Sequence, residues 1–200
     1  MILLPAVEGL SREDLEEWSR EGRTGLVLHS VGNDHNLGAI ARSAAFFDVK
    51  YIVIAEDDPV FSAEAQPDAA SEKYDSPSSG SLPEARLSTS TYRVAEGGME
   101  HVTVRTVRNT AAFLREASRH LITIGADTRA RQRIGDLSRI IAGETGRSGI
   151  AVVLGNEETG LPNEVKDACS VMVRIPGTGL MDSLNVAQAA TLFMQKIFEH

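Results

Sequence analysis

The chain lacks most of what would build a protein around covalent or metal cross-links. Its 200 residues include one cysteine, Cys169, which excludes a disulfide framework and any multi-cysteine zinc site. No apolar run approaches the length that crosses a bilayer. The first ten residues, MILLPAVEGL, have no positive flank and carry Glu8, a poor match to a secretory leader, so a cytoplasmic protein without a membrane partner is expected. There are no repeats, no domain linker, no Walker sequence and no dinucleotide fingerprint. The histidines His29, His101 and His120 are scattered, and no metal is expected. What is present is ordinary for a globular protein: 42% hydrophobic and 24% charged residues exclude disorder of the whole chain. The length suits one domain over 1–200 with a core of its own.

The charge looks wrong for a nucleic-acid binder, with 28 acids against 20 lysines and arginines, but the average hides a pattern. Residues 1–85 carry 6 bases and 16 acids, residues 86–147 carry 11 arginines, no lysine and 6 acids, and residues 148–200 carry 3 bases and 6 acids. An all-arginine, basic middle in an acidic chain is either a local surface for an anionic ligand or a set of solvated helix faces.

Hydrophobic periodicity predicts alternating strands and helices. Residues 11–22 read as a short amphipathic helix with Ser11 as N-cap and Gly22 to end it. TGLVLHSV (24–31) reads as a strand, 36–48 as a helix and KYIVIAE (50–56) as a second strand, the spacing of a βαβ unit. Residues 57–90 hold Pro59, Pro67, Pro77 and Pro83 and read as a long surface excursion; the stretch 57–100 as a whole reads as an insertion. Strands follow at 101–107, 120–127, 149–155 and 170–176, with helices from Asn109, after Pro162 (taken as the first helical residue) and over 183–199. Residues 128–139 are basic and expected to be partly exposed. The class is α/β with a mostly parallel sheet.

Three polar segments follow buried strands, where open α/β sheets place their ligands. They are Asn33-Asp34-His35-Asn36-Leu37-Gly38, running into a helix that carries Arg42; Gly155-Asn156-Glu157-Glu158-Thr159-Gly160; and Pro176 to Asn185. Glycines at strand ends admit a ligand close to backbone amides and carbonyls, or simply supply tight turns. Arg42 on an apolar helix either snorkels or aims at a site. Ser183 and Asn185 read as an N-cap and a first-turn residue of the last helix, Glu157 and Glu158 as turn acids, and Asp34-His35 as a weak acid/base pair.

Taken together these segments resemble the SpoU (TrmH-like) branch of the SPOUT methyltransferases. Motif one, Asn-x-Gly-x-x-x-Arg, is Asn36-Leu-Gly38-Ala-Ile-Ala-Arg42. Motif two is Val152-Val153-Leu154-Gly155-Asn156-Glu157-Glu158-Thr159-Gly160-Leu161. Motif three is Ile175-Pro176 followed by Ser183-Leu184-Asn185-Val186 and an alanine-rich helix. The stretch Arg93-Val-Ala-Glu-Gly-Gly-Met-Glu100-His101 is similar to a subgroup of tRNA/rRNA methyltransferases. The chain departs from the family at Gly177, where a methionine usually follows Ile-Pro, and in the length of 57–100. Many relatives also carry an N-terminal RNA-binding extension, for which only residues 1–23 stand here.

The resemblance implies a SPOUT-type fold with a C-terminal trefoil knot, S-adenosylmethionine held by Leu154, Gly155, Asn156, Ile175 and Leu184, and a homodimer acting on tRNA or rRNA. It implies methyl transfer to a ribose 2′-hydroxyl. Arg42 would clamp RNA phosphate and stabilise the forming alkoxide, since a guanidinium stays protonated. Asn36 would orient Arg42 or the ribose, Ser183 and Asn185 would hold the substrate or the arginine, and Glu157 would brace the motif-two loop. Arg129, Arg131 and Arg133 then read as a phosphate track. The rival readings are a non-catalytic RNA-binding module that kept the fold, and an α/β enzyme acting on a small nucleotide. Within methyltransferases, base methylation is the alternative to ribose methylation.

Overall fold

Runs of Val, Ile and Leu with no polar break form strands that are buried on both faces, as parallel sheets require. The computed structural model describes residues 7–31, 33–55 and 87–200. Its strands are β1 (Thr24–His29), β2 (Tyr51–Ala55), β3 (Thr103–Val107), β4 (Leu121–Ala126), β5 (Gln132–Arg133), β6 (Gly149–Gly155) and β7 (Val171–Arg174). They lie in the order β3-β2-β1-β6-β4-β7-β5, and every pairing is parallel. The helices are α1 (Arg12–Arg20), α2 (Asp34–Phe46), α3 (Thr89–Ala95), α4 (Thr110–Ala117), α5 (Leu137–Gly143), α6 (Asn163–Asp167) and α7 (Val186–Phe198).

Alternation along the strands splits the core in two. Leu26, Leu28, Ile52, Ile54, Ile122, Ile124, Val152 and Leu154 pack against α2, α3, α5 and α7 on one face. Val27, Val53, Leu121, Ala151 and Val153 pack against α1, α4 and α6 on the other. Trp18 of α1 anchors the second layer. It is fully buried, stacks on Tyr51 with ring centroids 4.9 Å apart, and donates its indole N–H to the carbonyls of Arg23 at 2.9 Å and Ile150 at 3.2 Å. Gly25 and Gly149 have no side chain because a Cβ at either would strike Trp18 or Leu121.

Several sequence expectations need correction. Helix α2 starts at Asp34 rather than Asn36, because the Asn33 side chain accepts from the amides of His35 and Asn36 and caps it. Pro162 is the residue before α6, in extended backbone, not its first helical residue. Asn185, not Ser183, is the N-cap of α7. Residues 89–95, within the stretch read as an excursion, form α3, capped by Ser88. Residues 57–86 of that excursion lie outside the described residues, as do Glu56 of the predicted second strand and residues 1–6 of the N-terminal lead-in. The basic stretch 128–139 contains edge strand β5, a short 3₁₀ turn at Ile134–Asp136 and the start of α5.

Candidate active site

Parallel strands put all their C-terminal ends on one edge, so the segments after β1, β6 and β7 open on the same side. His29 at the end of β1 is in register with Gly155 at the end of β6, which sets the first two polar segments side by side. The third must travel from β7, two strand positions beyond β6, back to α7, which packs on α2 and β6.

The turn after β6 is tight. A Cβ on Gly155 would lie 2.5 Å from the carbonyl carbon of Gly160, so only glycine permits this approach. Asn156 organises the turn: its side-chain oxygen accepts from the amides of Glu158 (2.8 Å) and Thr159 (3.3 Å), and its Nδ2 donates to the Ser30 carbonyl at 3.0 Å. The Asn156 carbonyl accepts from Gly160 N at 2.8 Å. The turn is thereby tied to the segment after β1.

Glu157 then points at α2 and α7. Its Oε1 accepts from Asn36 Nδ2 at 2.7 Å and from Asn185 Nδ2 at 3.4 Å, and lies 3.5 Å from the Val186 amide. Asn185 Nδ2 also donates to Asn36 Oδ1 at 2.9 Å, while Asn185 Oδ1 caps α7 by accepting from the Ala187 amide at 2.9 Å. One residue from each of the three segments meets here. A carboxylate is placed at the N-terminal end of a thirteen-residue helix, where the free amides and the helix dipole favour it. Farther along, the Thr191 hydroxyl lies 3.0 Å from Ser43 Oγ, holding α7 to α2.

Arg42 is not part of this cluster. Six residues on from Asn36, it is turned about 240° round the helix and faces α3. Its guanidinium pairs with Glu96 Oε1 at 2.9 Å, with the two side chains 59% and 62% exposed. Glu96 follows α3 in left-handed backbone, φ 47°, and Gly98 lies so close that a Cβ there would sit 2.8 Å from the Arg42 Cα. The Glu-Gly-Gly run fits this packing. Glu96 was not foreseen, although it lies inside the quoted stretch Arg93–His101.

The remaining candidates divide. Leu154 is buried and Ile175 packs against the first core layer. Ser183 is exposed and makes no hydrogen bond among the described residues. Leu180, Met181 and Leu184, in the loop leading to Asn185, are 87%, 80% and 44% exposed, an apolar loop uncovered beside the polar cluster. Asp34 accepts a hydrogen bond from Thr91 Oγ1 at 3.4 Å and His35 is exposed, so the pair makes no acid/base couple. Among the described residues no three His, Cys, Asp or Glu side chains gather as metal ligands, and no helix is long and apolar enough to cross a membrane.

Comparison with known proteins agrees with this geometry. The model of the SpoU rRNA Methylase family matches residues 81–195, more than half of the chain. The chain is 29% identical over 187 residues to the 23S rRNA (guanosine-2'-O-)-methyltransferase RlmB of Nitrosomonas europaea, covering 93% of this chain and 60% of that protein. It is 30% identical over 171 residues to the RlmB of Xylella fastidiosa strain 9a5c, covering 84% and 56%. The chain thus spans about three fifths of the length of these curated relatives. In fold it is similar to an AdoMet-bound rRNA methyltransferase from Sinorhizobium meliloti (TM-score 0.64, 22% identity, covering 90% of this chain and 57% of that one). It is similar also to a structure solved for 2-OH methylation of C/U34 on tRNA (TM-score 0.65, 21% identity, covering 88% and 95%). With its three motif segments gathered at one edge of a parallel sheet, this chain belongs to the SpoU rRNA Methylase family.

Proposed function

We propose that the protein is an S-adenosylmethionine-dependent methyltransferase acting on a ribose 2′-hydroxyl of tRNA or rRNA. The observation that carries the proposal is the Asn36–Glu157–Asn185 cluster, in which three segments far apart in sequence are locked together by side-chain hydrogen bonds. The family membership and the RNA-methylating relatives support it.

The residues present fit the cofactor. Gly155 keeps the turn after β6 pinched against Gly160, and Leu180, Met181 and Leu184 leave apolar surface uncovered in the adjoining loop, which suits an adenine ring read by main-chain groups. Leu154, Gly155, Asn156, Ile175 and Leu184 are the residues proposed to hold it. When bound, S-adenosylmethionine supplies an electrophilic methyl group. The chain's own task is to place a ribose hydroxyl and to stabilise the charge that grows on its oxygen. Glu157 fixes the orientation of Asn36 and Asn185, and Ser183, exposed and without a hydrogen bond among the described residues, is placed to hold substrate. Arg42 stabilises the developing alkoxide or the neighbouring phosphate as a permanent cation.

Within one chain Arg42 of α2 pairs with Glu96 after α3, away from the cluster, so we propose that it acts in a homodimer. Phe46 of α2 and Leu192 and Phe198 of α7 are 79%, 41% and 65% exposed, and Phe47 meets Phe198 edge-on at 5.8 Å. The Phe46–Phe47–Phe198 ring contacts join the helix of motif one to the last helix, and a second copy would cover the exposed apolar side chains there. We further propose that the chain is knotted: after β5 at the sheet edge it returns to the centre for β6, goes out to β7 and crosses back to α7. Residues 1–200 are read as one methyltransferase unit, and the cytoplasm as its compartment.

The test is transfer of labelled methyl groups to bulk tRNA and rRNA, followed by mapping of 2′-O-methyl sites in RNA from cells with and without the protein. A methylated ribose that depends on the protein is expected. A purified protein with no affinity for S-adenosylmethionine, or one that labels only bases, would overturn the proposal.

A further inference from the structure

Across the edge of the sheet three residues stand in one row. Arg133 of β5 is the register partner of Arg174 of β7. On the other side of β7, Ala126 is paired with Val173 and the Asp127 amide donates to the Val173 carbonyl at 3.1 Å, so Asp127 flanks Arg174. Register partners on parallel strands share a face, and neighbouring strands lie about 4.8 Å apart, so the two arginines stand side by side. Like charges placed so are unfavourable and need a counter-charge. Asp127 does not provide it: its carboxylate pairs with Lys166 and accepts from the Arg129 amide at 2.7 Å. The Arg174 Nε is buried without a hydrogen-bond partner among the described residues. Neither guanidinium has an ion-pair partner among them, although other arginines of the chain are paired with acids. Arg131, two residues before Arg133, is exposed and likewise unpaired. The row lies at the C-terminal ends of the strands, directly before Ile175 and the loop to Asn185.

We propose that Arg174 and Arg133 together seat one phosphate of the RNA backbone. A phosphate offers several acceptor oxygens, and two guanidinium forks side by side can each engage one. Because a further exposed arginine, Arg131, stands two residues from Arg133 in the chain with no ion pair among the described residues, the site fits a polyanion with more than one phosphate rather than a small isolated acid. The inference rests on RNA being the substrate, but not on methyl transfer.

The experiment measures binding of unfractionated tRNA over a series of KCl concentrations for wild type, Arg174→Gln, Arg133→Gln and the double variant, with S-adenosylmethionine affinity measured by calorimetry alongside. Each single variant is expected to weaken tRNA binding several-fold at low salt and to lower the salt slope by roughly 1. The double variant is expected to lower the slope no further, since both arginines serve one phosphate. Affinity for S-adenosylmethionine is expected to be unchanged. If Arg174→Gln does not fold, Arg133→Gln and the charge-keeping Arg174→Lys decide the matter: the first lowers the slope, and the second keeps it while binding more weakly. An unchanged slope in folded variants, slopes that fall additively, or lost cofactor affinity with tRNA binding intact would each overturn the proposal. A wild-type protein that binds tRNA with the expected slope yet transfers no methyl group would overturn the assigned reaction and leave this site standing.

Discussion

Glu157 is one carboxylate oxygen serving donors from two helices, and that economy makes the site sensitive to single atoms. Replacing Asn36 by Asp puts a second carboxylate where an N–H now lies 2.7 Å from Glu157. The loss of that bond together with like-charge repulsion is expected to cost about 1–3 kcal/mol, read as a lowered urea midpoint, and to loosen the start of α7. Arg42→Ala behaves differently. The pair with Glu96 is largely exposed, and such pairs contribute about 0–1 kcal/mol, so the melting temperature should scarcely change while methyl transfer is lost. Near wild-type turnover by the Ala variant would remove Arg42 from the mechanism. Asn36, Glu157 and Asn185 were singled out through the three motifs of the family resemblance, in segments that follow β1, β6 and β7; position alone offered a turn acid at Glu157 and a helix cap or first-turn residue at Asn185. The partner of Arg42 was not legible, because the Arg42–Glu96 pair depends on a helix whose docking no local pattern announces.

At the scale of elements, legibility followed apolar content. The run GIAVVLG corresponds residue for residue to β6, since seven consecutive small or branched apolar residues suit a strand buried on both faces. Helix α3, TSTYRVA, was missed. It is short, rich in residues that do not favour helix, and stabilised by packing on α2, where a Cβ on Gly38 would lie 2.7 Å from the Thr91 carbonyl. Helix α5 was hidden by the arginines around it. The turn after β6 yields a sharper expectation. Gly155→Ala places a methyl against backbone that cannot swing aside, so the turn must open. A stability loss of about 1–3 kcal/mol is expected, with a larger fractional loss of S-adenosylmethionine affinity, measured by thermal melting and calorimetry. Affinity and stability equal to wild type would show that the pinch plays no part.

For the molecule as a whole, charge governs both stability and partner. At Asp127 burial pushes the carboxyl pKa up, but the bond from Lys166 and the Arg129 amide outweigh it, leaving it below its ordinary 3.8. At Asp14 burial is likewise outweighed, by Arg105 and Ser11. A depressed folded pKa adds stability that is complete above the unfolded value and is lost as pH falls through the folded one. These two groups therefore leave the melting temperature unchanged from neutral pH down to about pH 5 and lower it below pH 3.8. Asp127→Asn should flatten that acid limb and lower stability at neutral pH. The basic middle of the chain is tested by Arg129→Ala with Arg131→Ala, which is expected to weaken RNA binding and flatten its salt dependence; an unchanged slope would exclude the patch.

Strand β6, the clearest of all in the sequence, sits between β1 and β4, with Leu28 beside Leu154 and Ile122 beside Ile150. The middle plank of the sheet is therefore made after β1, β2, β3, β4 and β5. Until residue 155 has emerged, β1–β3 and β4 are halves with no common seam, each exposing strand edges meant for a neighbour not yet made. Pairings this distant are slow to close, and waiting edges invite unwanted partners. The nascent sheet is thus expected to be most open to wrong pairing between the synthesis of β4 and that of β6.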